Sequence, residues 1–154
     1  MRHRLLALLP LTAALNGCSS AYDLRAVVIG GKVAFVPAET DIWGRPDCIY
    51  SISVSALGGP ALKAKMTDDA RMVANGSYWN KTYEVTSCDN PFPVFYGAKL
   101  KGPPFYKNQK SYNVEAKPLR EGVVYEVSTS SEGSAYGGGK FVITDERRIV
   151  NLPR

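Results

Sequence analysis

From Cys48 to Leu57 the chain alternates. Cys48, Tyr50, Ile52, Val54 and Ala56 fall on one side of an extended strand, and Ser51, Ser53 and Ser55 on the other. A period of two sets one face against a core and the other toward water, which is how a strand of an antiparallel sheet reads. Residues 24–29 and 32–36 flank Gly30-Gly31, a two-residue loop that suits a hairpin. Val123, Tyr125 and Val127 alternate with Val124, Glu126 and Ser128, and Phe141 and Ile143 alternate within residues 140–144. Residues 79–85, with Trp79, Tyr83 and Val85 on one side, read as a further strand, as do residues 94–100 and 112–116. Pro37 to Asp47, Gly58-Gly59-Pro60 and Gly102-Pro103-Pro104 break these runs. Residues 61–74 fit an irregular strand or a short helix, with Thr67-Asp68-Asp69 at its start and Asn75-Gly76 at its end. Strand number and turn spacing predict an all-β chain, a β-sandwich of about seven strands with room for one short helix.

The N-terminus carries a different signal. Met1-Arg2-His3-Arg4 is basic, and residues 5–15 are apolar apart from Pro10 and Thr12. That length suits an export signal and is too short to span a bilayer core of about 30 Å. The segment ends in Leu15-Asn16-Gly17-Cys18, which resembles the lipobox of bacterial lipoproteins. The resemblance implies that residues 1–17 are removed and that Cys18 is lipidated and becomes the first residue of the mature chain. Residues 18–23 would then form a lipidated tether, and residues 24–154 a single domain. Ser19 follows the cysteine where Asp would retain the protein in the inner membrane. The family rule therefore implies the periplasmic side of the outer membrane, with a surface-exposed or inner-membrane location as the alternatives. An ordinary signal peptide cut before an incidental Cys18 is the other reading of the segment.

A second resemblance lies near the C-terminus. Leu119-x-x-Gly122-x-x-Tyr125 is similar to the tyrosine corner of immunoglobulin-like and fibronectin type III sandwiches. It implies that the Tyr125 hydroxyl bonds back to the preceding backbone and that the sandwich is immunoglobulin-like.

Cleavage at the lipobox constrains the chemistry left to the mature chain. It leaves 137 of the 154 residues, enough for one ordinary core. It removes Arg2 and Arg4, which lowers the net charge from +5 to +3, a mild balance that is no nucleic-acid signature. With Cys18 given to lipid, Cys48 and Cys88 remain as one pair in an oxidising compartment, and a disulfide is expected. The only histidine, His3, leaves with the signal. Ser-His-Asp and Cys-His catalysis and histidine-ligated metals then have no residues to use, and no metal or cofactor is expected.

Gly133-Ser134-Ala135-Tyr136-Gly137-Gly138-Gly139-Lys140 has neither the spacing of a phosphate-binding loop nor Ser or Thr after the lysine. It reads as a flexible hairpin loop. Asp68-Asp69 and Asp145-Glu146 are the acidic pairs a carboxylate-dependent glycan hydrolase would need, although adjacent acids more often mark helix starts and solvated turns.

Residues 89–120 have the strongest binding character. Phe92, Phe95, Tyr96, Phe105, Tyr106 and Tyr112 lie among Lys99, Lys101, Lys107, Lys110, Lys117 and Arg120. Aromatics interleaved with cations can stack on sugars or meet an acidic protein face. The alternative is that about half of these aromatics belong to the core. Trp43, in a Pro/Gly loop, is a further candidate. The sequence therefore favours a non-catalytic envelope lipoprotein that binds an envelope protein or a cell-wall glycan, with no nucleic-acid partner. A glycan hydrolase and an inhibitor of an envelope-attacking hydrolase are the alternatives.

Overall fold

A computed structural model of the chain describes residues 21–38, 47–58, 61–83, 87–103, 112–131 and 135–154. Cys18, Trp43, Phe105 and Tyr106 lie outside the described residues. The fold is all-β and sandwich-like, a single sheet curled into a half-barrel with one short helix. The elements are β1 (Ala21–Ile29), β2 (Lys32–Pro37), β3 (Ser51–Ala56), α1 (Ala70–Ala74), β4 (Ser77–Thr82), β5 (Val94–Phe95), β6 (Val124–Ser131), β7 (Ala135–Ile143) and β8 (Ile149–Leu152). Strand order is β4-β3-β6-β7-β1-β2-β5, and β8 pairs with β7 off this path.

The sheet turns its corner at β1. Residues 21–23 pair in parallel with residues 136–138 of β7, and residues 24–29 then pair antiparallel with β2. One strand thus serves both layers. The β1–β2 hairpin closes through Gly30 and Gly31 at φ +57° and +74°, the left-handed pair that a two-residue turn between twisted strands requires. In β3, Ile52 and Val54 are fully buried, whereas Ser51, Ser53 and Ser55 are half-buried on the other face. The core collects Phe35, Ile49, Ile52, Val54, Tyr78, Trp79, Tyr125 and Phe141. Tyr125 stacks on Phe141 at 5.3 Å and meets Tyr78 edge-on at 5.0 Å. Of residues 61–74, read as irregular strand or short helix, only Ala70–Ala74 form an element, α1, with Asp69 as its N-cap accepting from the N–H groups of Arg71 and Met72.

Several sequence expectations are corrected. Ala21–Asp23, expected as tether, are the first residues of β1, and Tyr22 is buried. β4 starts two residues earlier than expected and is buried on both faces from Ser77 to Lys81, so it carries no period-two signal. The strand expected at residues 94–100 is only Val94–Phe95, because the chain turns at Tyr96-Gly97. Residues 112–116 make one isolated bridge, Val114 with Asn80, rather than a strand. Of the glycine-rich stretch expected as a loop, Ala135 to Lys140, with Gly137, Gly138 and Gly139, lie inside β7, and Gly133 and Ser134 lie outside the described residues.

Those glycines are there because β1 comes so close. A Cβ on Gly137 would stand 2.4 Å from both Thr129 Oγ1 and the Tyr22 ring. One on Gly139 would stand 2.2 Å from the Leu24 carbonyl oxygen. Both distances lie far inside van der Waals contact, so strand crossing and side chains are incompatible at these two sites. The Tyr22 hydroxyl, carried over Gly137, hydrogen-bonds Thr129 Oγ1 at 2.6 Å and Ser131 Oγ at 2.9 Å.

Beyond Asp23 the side of β1 that faces away from β2 pairs with no strand among the described residues, and β8 serves it with a side chain. Asn151 Oδ1 accepts from the Ala26 N–H at 2.8 Å, and its Nδ2 donates to the Ala26 carbonyl at 2.9 Å.

Candidate functional site

The segment with binding character is pinned at its base by a crosslink. Cys48 and Cys88 form a disulfide with Cα atoms 5.5 Å apart. It ties the start of residues 89–120 to the approach of β3. The Ile49 N–H donates to the Asn90 carbonyl at 3.0 Å, and the Phe92 N–H to the Asp47 carbonyl at 3.1 Å. Asn90 then closes the loop on itself. Its Oδ1 accepts from the Lys101 N–H at 2.7 Å and its Nδ2 donates to the Lys101 carbonyl at 3.0 Å. Asn90 is buried, so both bonds are shielded from water.

Within that closure the aromatic side chains divide. The Tyr96 ring meets Trp79 edge-on at 5.3 Å, and its hydroxyl lies 2.7 Å from the Lys117 carbonyl and 3.2 Å from that of Tyr78. Burial pushes the Tyr96 phenol well above its ordinary range despite the bond to Lys117, so it stays a neutral donor. Phe92 packs on the core and meets Tyr22 edge-on at 6.3 Å. Phe95 is half-buried in β5. Lys99 and Lys101 are exposed. Together with Pro93, Phe95 and Ala98 they border a shallow groove of about 200 Å³. Of the interleaved set, the structure brings Phe95, Lys99 and Lys101 to one surface and turns Phe92 and Tyr96 inward.

Not every lysine of the segment faces solvent. Lys117 is buried and pairs with the Asp68 carboxylate, which also accepts from the N–H groups of Lys65 at 2.7 Å and Glu115 at 2.8 Å. Burial alone would raise the Asp68 carboxyl, but Lys117 and the two N–H groups outweigh it and hold it below the ordinary carboxylate range. Lys81 pairs with Glu115 close by. Nothing in the sequence marks these pairs, because the partners are 34 and 49 residues apart.

The other three members of the two acidic pairs have structural partners. Asp69 caps α1. Asp145 accepts from the N–H of Glu146 at 3.0 Å, and Glu146 pairs with Arg148 at 2.5 Å, all within one exposed turn. Among the described residues, no three His, Cys, Asp or Glu side chains gather as metal ligands, and no helix is long and apolar enough to cross a membrane.

At the other sequence motif, the Tyr125 hydroxyl accepts from the Arg120 N–H at 2.8 Å. Burial pushes its phenol up to about 12, against the effect of that bond. Leu119 packs on the core, and the Gly122 N–H donates to the Ile143 carbonyl at 2.8 Å, which fixes the corner against the end of β7. Compared with protein families, curated proteins and solved structures, the chain matches none.

Proposed function

We propose that this chain is a non-catalytic cell-envelope lipoprotein, held to the periplasmic side of the outer membrane by a lipid on Cys18 and binding an envelope protein or a cell-wall glycan. The observation that carries the reading is where the sheet begins relative to Cys18. β1 starts at Ala21, three residues beyond Cys18, and Tyr22 and Leu24 are already core residues. A sheet whose first strand opens three positions after the acylated cysteine is what a short lipid tether calls for. The binding part of the reading is supported by Phe95, Lys99 and Lys101 on one rim, carried by a loop that the disulfide and Asn90 hold in shape. A loop already ordered loses little conformational entropy when it binds.

The hydrolase reading has less support. Asp68 is saturated by Lys117 and two N–H groups, Asp69 is a helix cap, and Asp145 and Glu146 close a turn.

Two measurements test the proposal. Labelling with an alkyne fatty acid in a bacterial host should mark the unsubstituted chain and not Cys18→Ala; an unlabelled chain removes the lipid. Photo-crosslinking in intact cells and co-sedimentation with purified cell-wall sacculi should both be compared with Lys99→Glu/Lys101→Glu. Loss of one of the two signals in the variant identifies the partner class. Equal recovery of variant and parent in both assays removes the loop as the binding surface.

A further inference from the structure

We propose that the end of the molecule carrying Ala21 rests on the phospholipid headgroups of the anchoring membrane, with Tyr136 as the side chain at that interface. The inference rests on lipid attachment at Cys18. Two residues, Ser19 and Ser20, lie between Cys18 and Ala21, and the three Cα steps reach at most about 11 Å when fully extended. Ala21 cannot swing away from the body. It opens a strand whose next residue is buried and whose backbone pairs with β7 at three successive positions. A lipid on Cys18 therefore holds a rigid end of the sheet close to the bilayer. The remaining gap is too narrow for a folded protein, since even a 100-residue domain has a radius of gyration of about 13 Å. Lipid is the occupant that fits.

The surface at that end suits it. Ala21 pairs directly with Tyr136, and cross-strand partners share a face. Both are exposed, Tyr136 by 57%. An exposed tyrosine with an apolar ring and a polar tip is the side chain expected at headgroup level. Lys140 follows on the same face of β7 beside its cross-strand partner Glu126, and both line the shallow hollow that Tyr136 and Arg154 border, so charge there is balanced and the Tyr136 ring carries the interface. The Arg154 guanidinium bonds the Gly138 carbonyl and pairs with Asp23 at 2.9 Å, which stiffens the same end.

The opposite end differs in kind. Val28 lies seven residues along β1 from Ala21, about 23 Å away at strand rise. Val28 and Ile29 are exposed there, as are Leu57 just beyond β3 and Val150 in β8. Rigid attachment at Ala21 points this apolar end away from the membrane.

The test uses full-length acylated protein in vesicles of phosphatidylethanolamine and phosphatidylglycerol. Tyr136→Cys and Val28→Cys each receive a polarity-sensitive thiol dye, and the Cys48–Cys88 disulfide leaves the native pair unlabelled. The dye at position 136 should shift to the blue and brighten on vesicles, while the dye at position 28 emits as in water. Hydroxyl-radical footprinting of the unsubstituted protein covers any folding fault in the variants. Tyr136 should lose reactivity on vesicles, while Val28 and Leu57 keep theirs. A response at position 28 equal to or above that at 136, or none at either, overturns the orientation in a protein that floats with vesicles. A protein that carries no acyl group and does not float removes the lipid reading, and the orientation falls with it.

Discussion

The seam between β1 and β7 and the loop from Asn90 to Lys101 are both held without a hairpin turn, yet by opposite means. At the seam, fit comes from what is missing. Gly137 and Gly139 have no side chain, so Leu24 and the Tyr22 ring can lie against the β7 backbone. At the loop, fit comes from what is added. A disulfide and one buried amide extend the hold of the two-residue ladder that β5 makes on β2. The seam should therefore fail when atoms are inserted, and the loop when bonds are removed. The seam is continuous with the core, so its failure is global. The loop is fixed at discrete points, so it can loosen on its own.

The largest effect should come from the crosslink. Replacing both cysteines, Cys48→Ser with Cys88→Ser, opens a closure of 40 residues and should lower unfolding free energy by about 4 kcal/mol on chain-entropy grounds. Denaturant unfolding of the variant and the parent measures it. A loss below about 1 kcal/mol would mean that the strand pairs hold this region without it.

Next comes Gly139→Ala. Its Cβ meets backbone rather than a movable side chain, so about 3 kcal/mol is expected, the upper end for overpacking. Gly138→Ala is the internal control. There the new atom meets only the Arg154 guanidinium at 3.1 Å, which can shift, and the cost should be well under 1 kcal/mol. Equal costs at 138 and 139 would break the account of the seam.

A smaller effect than that of Gly139→Ala tests the loop alone. Asn90→Ala removes both bonds to Lys101 and should cost about 2 kcal/mol. It should speed hydrogen exchange at the Lys101 amide far more than at amides of β6 or β7. Uniform acceleration across the sheet would show that the loop is no separate unit.

What could be read in advance followed short-range regularity. The Gly30-Gly31 hairpin, the alternation of β3 and the spacing around Tyr125 are local patterns, and each has its counterpart in the structure. β4 was harder, because burial of both faces removes the alternation that would have marked it. The glycine-rich stretch misled because glycine serves two purposes. Turns need its freedom and close strand crossings need its emptiness, and composition alone does not separate them. The candidate surface was legible only in part. Residues 89–120 carry the half-buried Phe95 and the exposed Lys99 and Lys101, but the inward turn of Tyr96 depends on Trp79 and the Lys117 carbonyl, which only the folded chain brings alongside. The Lys117–Asp68 pair, joining residues 49 apart, had no sequence signal.

Asn151 has an effect beyond its two hydrogen bonds. By presenting an amide where another backbone would dock, it occupies the donor and acceptor of Ala26. Residues 112–117 do the same for β4, bonding Asn80 and the Tyr78 carbonyl along its outer side. Unsatisfied strand borders are the templates on which one chain recruits the next. Closing them at these points leaves a colliding copy fewer free backbone groups to zip onto, so a few side-chain plugs do the work that a longer edge strand would otherwise need.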